Sequence, residues 1–418
     1  MPTPLAARFD EVVAPGLRRW WAIHCPRILW IAVAIMAVIA LARQGYEFWR
    51  LVFCTADHGA IDLRFYHGLV QGWFAGRPIY EELRTAVHPP ATYLMLWPFL
   101  GWLSLSVARW FCAATMVAAI VWLGHLCARH AGMRTRAERT FAFLFVLSMY
   151  PAAITVGNGQ LTLYLVPALL TGVLMLGRKE VAPGREAIAS LLLLAALVKP
   201  PLAAPFFWIV LFVAPTIRPC LAVASAYVGL TLLSASFQPE GLFRLLRQAL
   251  ENSAALAVEG GYANIHMGLR AVGAEWALLP CSILLFLLAG VWIRRHRDGD
   301  PWHLLGVIAI VARFWTYHRL YDDLLILFPL VALFRVARGG AGTRGSDVIA
   351  VSLIAVSWIF LLAPGTLARV SWGWPFRWGQ SALWLAMLVF LVWQAAGRGG
   401  SPAAAQPRGQ AGAPPGES

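Results

Sequence analysis

The chain has 418 residues, of which 60% are hydrophobic and 13% charged, with a mean hydropathy of +0.66. Soluble globular domains carry about a quarter charged residues, so this composition excludes a soluble enzyme. The 34 Lys and Arg against 20 Asp and Glu give a net charge of +14, but the basic residues sit in loops between apolar runs rather than on one face, which points to membrane orientation and away from nucleic acid.

A helix needs about 20 mostly apolar residues to cross a bilayer. Runs of that kind predict an all-α polytopic membrane protein with twelve crossings, beginning near residues 28, 107, 140, 161, 186, 201, 219, 277, 302, 323, 347 and 381. The expected organisation is a cytoplasmic segment 1–27, one integral-membrane domain 28–397, and a tail 398–418 whose Gly, Pro, Ala and Gln predict a disordered cytoplasmic end. The first span, 28–42, leads into an outside loop over 43–90. There Leu63, Tyr66, Val70 and Trp73 recur at helical spacing, predicting an amphipathic interfacial helix with Asp62 at its N-cap. The apolar stretch 91–103, about 13 residues, is too short for a full span and predicts a re-entrant or short helix. Six scattered cysteines predict buried thiols, and no metal site or cofactor motif is found.

With a cytoplasmic N-terminus, 20 of the 34 basic residues fall on the cytoplasmic side, including those in 129–139 and 294–301. The unusual polar clusters then share the other side: Asp57, Asp62 and Tyr66; Asn158 and Gln160; Lys199; Asn252 and His266; His318 and Asp322. Ionisable groups at membrane depth are costly and mark sites or pathways.

Each cluster also has a plain structural reading. Asp62 can serve as a cap alone. Pro89 and Pro90 stop one helix and start the next, beside His88. Gly157-Asn158-Gly159-Gln160 makes a tight turn with two carboxamides. Lys199, before Pro200 and Pro201, can snorkel to the interface or hold a phosphate. His318 and Asp322, four apart, face the same way if the segment is helical.

In order, an Asp and Tyr in the first outside loop, Gly76 to Tyr80, Pro89-Pro90, Gly159-Gln160, Lys199-Pro200 and Tyr321-Asp322 resemble the integral-membrane glycosyltransferases of family 87 over residues 28–395. The resemblance implies a GT-C helical bundle that takes a hexose, often mannose, from a polyprenyl-phosphate sugar and passes it to a lipid or glycan acceptor. It places the reaction at the outer face of the cytoplasmic membrane, with inversion and among membrane lipids. It carries the catalytic base onto Asp62 and lines the substrate site with Tyr66, His88, Asn158, Gln160, Lys199, His318 and Asp322. His88 departs from the family's Tyr before the proline pair, and the 158–161 turn is a loose version of the family's. The alternative reading, a secondary transporter or lipid flippase, also fits many helices with intramembrane polar residues, but transporters tend to show internal repeats, and none is visible here.

Overall fold

The computed structural model describes residues 14–177, 180–259, 263–339, 345–362 and 373–398. The expected tail, apart from Arg398, and the first half of the expected N-terminal segment lie outside these residues. About 81% of the described residues are helical, and none of them forms a strand. In chain order the helices are α1 (Ala14–Val52), α2 (Ile61–Phe74), α3 (Ile79–Glu82), α4 (Pro90–Leu100), α5 (Leu105–His130), α6 (Arg136–Ser148), α7 (Tyr150–Asn158), α8 (Thr162–Leu176) and α9 (Pro183–Ala196). They continue with α10 (Pro200–Ala203), α11 (Phe207–Val213), α12 (Arg218–Ala235), α13 (Leu242–Glu259), α14 (Ile265–Ala271), α15 (Leu278–Arg295), α16 (Pro301–Phe314), α17 (Leu327–Gly339), α18 (Ser346–Leu362) and α19 (Gly373–Arg398). A 3-10 helix, Leu320–Ile326, precedes α17.

Among the described residues, five stretches are long and apolar enough to cross a membrane: Arg27–Val52, Leu105–His130, Arg218–Ala235, Glu275–Arg295 and Pro375–Ala396. A sixth arises if α6 and α7, bent by 48° at Met149, count as one span. The bend has a covalent cause, since Pro151 has no N–H to give to the helical ladder. The predicted spans beginning near 161, 201, 302 and 347 coincide with shorter apolar helices, α8, α10 with α11, α16 and α18, whereas those beginning near 186 and 323 fall on α9 and α17, which are not among these apolar helices.

The two kinds of helix are buried differently. Leu41 on α1 is 79% exposed, Leu279 on α15 67% and Val389 on α19 61%, the pattern of apolar faces that meet lipid rather than water. In α16 every residue from Trp302 to Arg313 is buried, and α8 is buried along most of its length. A helix apolar on all sides belongs inside a bundle. Helices α7, α8, α16 and α17 therefore form the interior, whereas the short α18 leaves Val348, Val351 and Ile359 exposed like the faces of the long helices.

The interior helices run between two chemically distinct ends. At one end, Arg335 reaches Asp300 at 3.0 Å and the carbonyl of His130 at 3.3 Å, and Arg338 pairs with Glu138. This ties together the α5–α6, α15–α16 and α17 termini, all rich in arginine. Glu138 also closes a capping box with Thr135, and Asp300 caps α16 by accepting from Trp302 N at 2.7 Å. The opposite ends of these same elements, at Asn158, Phe314 and Leu327, carry the polar cluster.

Helix α1 continues to Val52, ten residues beyond the apolar run that suggested it, so the first loop is shorter than expected. Glu47 and Arg50 allow this because they pair with each other inside the protein instead of facing lipid. Helix α2 is present as expected, fixed by the fully buried Trp73, which stacks on Tyr93 of α4 at 4.6 Å and donates to the Ser234 carbonyl of α12 at 2.9 Å.

Candidate functional site

The N-cap of α2 is Ala60, in the left-handed region at φ 48°, and not Asp62. Ala60 N donates to the Gly157 carbonyl at 3.2 Å, and this contact repays the backbone strain. Asp62 sits one residue into the first turn, where the positive end of the helix dipole favours a carboxylate. Its Oδ2 is enclosed and accepts no hydrogen bond. Burial raises its pKa above the ordinary carboxylate value, against the opposing influence of Asn158, Lys199 and Arg319. Asp57, the nearest rival, is exposed.

The turn after α7 packs directly on α2. Gly159, at φ 67°, ends α7, and a Cβ there would lie 2.5 Å from Leu63 Cβ. Only glycine satisfies both the conformation and the close approach. Gln160 Oε1 accepts from its neighbour Leu161 N at 2.6 Å and from the Tyr66 hydroxyl at 3.2 Å. The ring of Tyr66 lies 5.4 Å from that of His88. Burial first, and then the Lys199 charge, push the His88 imidazole down to about 3, so it is neutral.

Lys199 lies at the break between α9 and α10 and does not snorkel: it is 8% exposed and turns inward. Its Nζ meets Asp322 Oδ1 at 2.5 Å and Thr162 Oγ1 at 3.4 Å, and stands 4.8 Å over the Tyr321 ring. Asp322 also accepts from Thr162 Oγ1 at 3.0 Å, the Arg319 amide at 3.2 Å and His318 Nδ1 at 3.0 Å. The His318 to Asp322 contact matches the four-residue spacing, but the backbone is not α-helical. Arg319 is extended, and a 3-10 helix follows. That geometry sends the next carboxylate elsewhere, with Asp323 pairing with Arg313 at 2.7 Å and Gln380 at 2.6 Å. Two adjacent buried carboxylates thus each receive their own cation, which offsets their desolvation.

Tyr66, His88, Gln160, Lys199, His318 and Asp322 are all buried; contacts link Tyr66, His88 and Gln160 in one set and Lys199, His318 and Asp322 in another, the Lys199 charge acts on His88 across the two, and Asn158 and Asp62 complete the group. Asn252 and His266 lie outside it. Asn252 donates to the Tyr80 and Ala86 carbonyls at 3.0 Å each, bracing the loop before His88, and His266 pairs with Ser282 at 2.9 Å. Thr162, Arg313, Asp323 and Gln380 belong to the network and were not singled out from sequence. Arg313 alone offered a signal, as a charge within an otherwise apolar run.

The fold is that of a helical membrane protein with a charge-paired site gathered at one end of its interior helices. Residues 86–317, more than half of the chain, match the family model of glycosyltransferase family 87. The chain belongs to that family and is a membrane glycosyltransferase, an enzyme with a sugar donor and an acceptor. The match contains His88, Asn158, Gln160 and Lys199. Asp62, Tyr66, His318 and Asp322 lie outside it, so it is narrower than the resemblance over 28–395. No curated protein and no solved structure matches the chain.

Proposed function

We propose that the enzyme moves a hexose, mannose by the family resemblance, from a polyprenyl-phosphate sugar to a lipid or glycan acceptor by a single inverting displacement. The acceptor hydroxyl attacks the anomeric carbon, the bond to the phosphate oxygen breaks, and its electron pair leaves with the lipid phosphate. The acceptor proton passes to Asp62. Lys199 answers the charge that grows on the phosphate. An ammonium has three donors, and Lys199 directs them at Asp322 and Thr162, leaving one for a phosphate oxygen. Tyr66, His88, Asn158, Gln160, His318 and Asp322 line the substrate site, and His318 with Asp322 holds the ammonium in place.

The observation that supports this reading most strongly is the enclosed Asp62 Oδ2, which accepts no hydrogen bond although Lys199 and Arg319 stand close enough to influence its charge. A carboxylate placed to take a proton needs such an unoccupied lone pair. The arginine-rich junctions at the opposite end of the interior helices favour that end as cytoplasmic. On this reading one membrane domain, 28–397, places the reaction at the outer face of the cytoplasmic membrane.

The test uses purified full-length protein in lipid nanodiscs, offered radiolabelled polyprenyl-phosphate mannose or a nucleotide mannose together with membrane-extracted acceptor. Transfer from the lipid phosphate alone, with the anomeric configuration inverted by NMR, is expected. Use of the nucleotide sugar, or retention, overturns the proposal.

A further inference from the structure

Arg50 and Glu47 near the end of α1 are among the few buried charges that the proposed chemistry does not use. Arg50 Nη1 pairs with Glu47 Oε2 at 2.7 Å, and its Nε and Nη2 donate to the His58 carbonyl at 3.3 and 3.1 Å. Nη2 also donates to Asn158 Oδ1. The site is closely fitted, because a Cβ on Gly157 would collide with the Glu47 carboxylate and approach the Arg50 guanidinium. One cation therefore grips both the loop that leads into α2 and the last residue of α7, the two segments that carry Asp62 and Asn158.

The chemistry of the groups fixes a direction. A guanidinium only donates, so it can bond Asn158 only through Oδ1, and this orients the carboxamide. The side chain of Asn158 in turn stabilises the charged form of Asp62. A carboxylate only accepts, so that stabilisation comes from the amide nitrogen. We infer that Arg50 is a positioning residue for the reaction: by holding Asn158 Oδ1, it fixes which way the Asn158 carboxamide faces at the start of α2, where Asp62 lies. The inference rests on Asp62 being the base. Other groups acting on Asp62 are Tyr66 on α2, Lys199 at the α9–α10 break, and Arg319, Tyr321 and Asp322 around the 3-10 helix. None of them contacts Arg50, so its removal reaches Asp62 through Asn158 or through the loop held at the His58 carbonyl, and a double variant of Arg50 and Asn158 separates the two routes.

The sign follows from the donation. Without an oriented amide the ionised carboxylate loses support, its pKa rises, and the ascending limb of kcat/KM moves to higher pH. The experiment measures pH profiles of transfer from polyprenyl-phosphate mannose by the purified full-length wild type, Arg50→Gln, Arg50→Lys, Asn158→Leu and Arg50→Gln/Asn158→Leu. Arg50→Gln should move the limb up by about one pH unit, a loss of about tenfold in rate below the limb. Asn158→Leu should do the same. The double variant should move it no further than Asn158→Leu alone, because both substitutions remove one interaction. Arg50→Lys keeps a donor for Oδ1 and should return the limb towards the wild-type position. If Arg50→Gln does not fold, Arg50→Lys and Asn158→Leu carry the comparison. A limb shifted by Asn158→Leu but back near the wild-type position in Arg50→Lys supports the inference, and an equal shift in both overturns it. A loss equal at every pH, or additive shifts in the double variant, also overturns the inference while Asp62→Asn stays inactive. An active Asp62→Asn enzyme instead overturns the assignment of the base, and the inference with it.

Discussion

The Lys199 to Asp322 pair allows a quantitative test of why the lysine is inside the protein. Removing one partner of a buried ion pair costs roughly 3–5 kcal/mol, because the other charge stays buried without compensation. Lys199→Gln leaves Asp322 with Thr162, His318 and the Arg319 amide, which sets the cost at the low end, about 3 kcal/mol. Asp322→Asn leaves the ammonium with Thr162 and the Tyr321 ring, and a ring contact is worth only about 0.5–2 kcal/mol, so the cost is nearer 4 kcal/mol. The double variant Lys199→Gln/Asp322→Asn removes both charges and should fall short of the summed losses by at least about 2 kcal/mol. The assay is unfolding of the detergent-solubilised proteins without substrate, alongside sugar transfer. The double variant should recover stability without recovering transfer, which separates the structural work of the pair from the proposed phosphate binding. Single losses that add within about 0.5 kcal/mol would refute the coupling.

Three further outcomes are expected. Gly159→Ala should destabilise the protein by about 2 kcal/mol, opposite in sign to the usual Gly→Ala gain, because φ is 67° and the new Cβ meets Leu63; an unchanged unfolding midpoint would contradict this. Because burial raises the Asp62 pKa, the base is protonated over a wider range than a free carboxylate, and kcat/KM should rise with pH along a limb above about pH 4; a profile flat down to about pH 4 would contradict it. On a background without native cysteines, a cysteine at Arg84 should react with an impermeant thiol reagent added to intact cells and one at Arg134 should not, whereas labelling of 134 would place the arginine-rich end outside.

Much of this arrangement could be read from local pattern. Apolar runs located the five long helices because lipid contact demands unbroken hydrophobicity over a fixed length, and the proline pair at 89 and 90 marked the start of α4. What escaped was decided by contacts distant in sequence. The inward turn of Lys199 depends on Asp322, 123 residues away, whereas local sequence offered only a lysine beside an apolar run. Asp62 looked like a cap because Asp usually is one, but Ala60 takes that position through the Gly157 carbonyl. Glu47 and Arg50 resembled the polar margin of a finished span, and their i,i+3 spacing was the only sign that they neutralise each other inside the bundle. Asp322 and Asp323 face different partners because their backbone is 3-10, which no periodicity announced.

The most direct measurement for the central claim is single-turnover transfer by purified Asp62→Asn protein loaded with radiolabelled polyprenyl-phosphate mannose. The substitution keeps the size and the helix-start position of the side chain but leaves no carboxylate to accept the acceptor proton. Donor binding at the wild-type level with transfer reduced by at least about 100-fold is the result predicted for loss of a general base. Transfer near the wild-type rate would contradict the account.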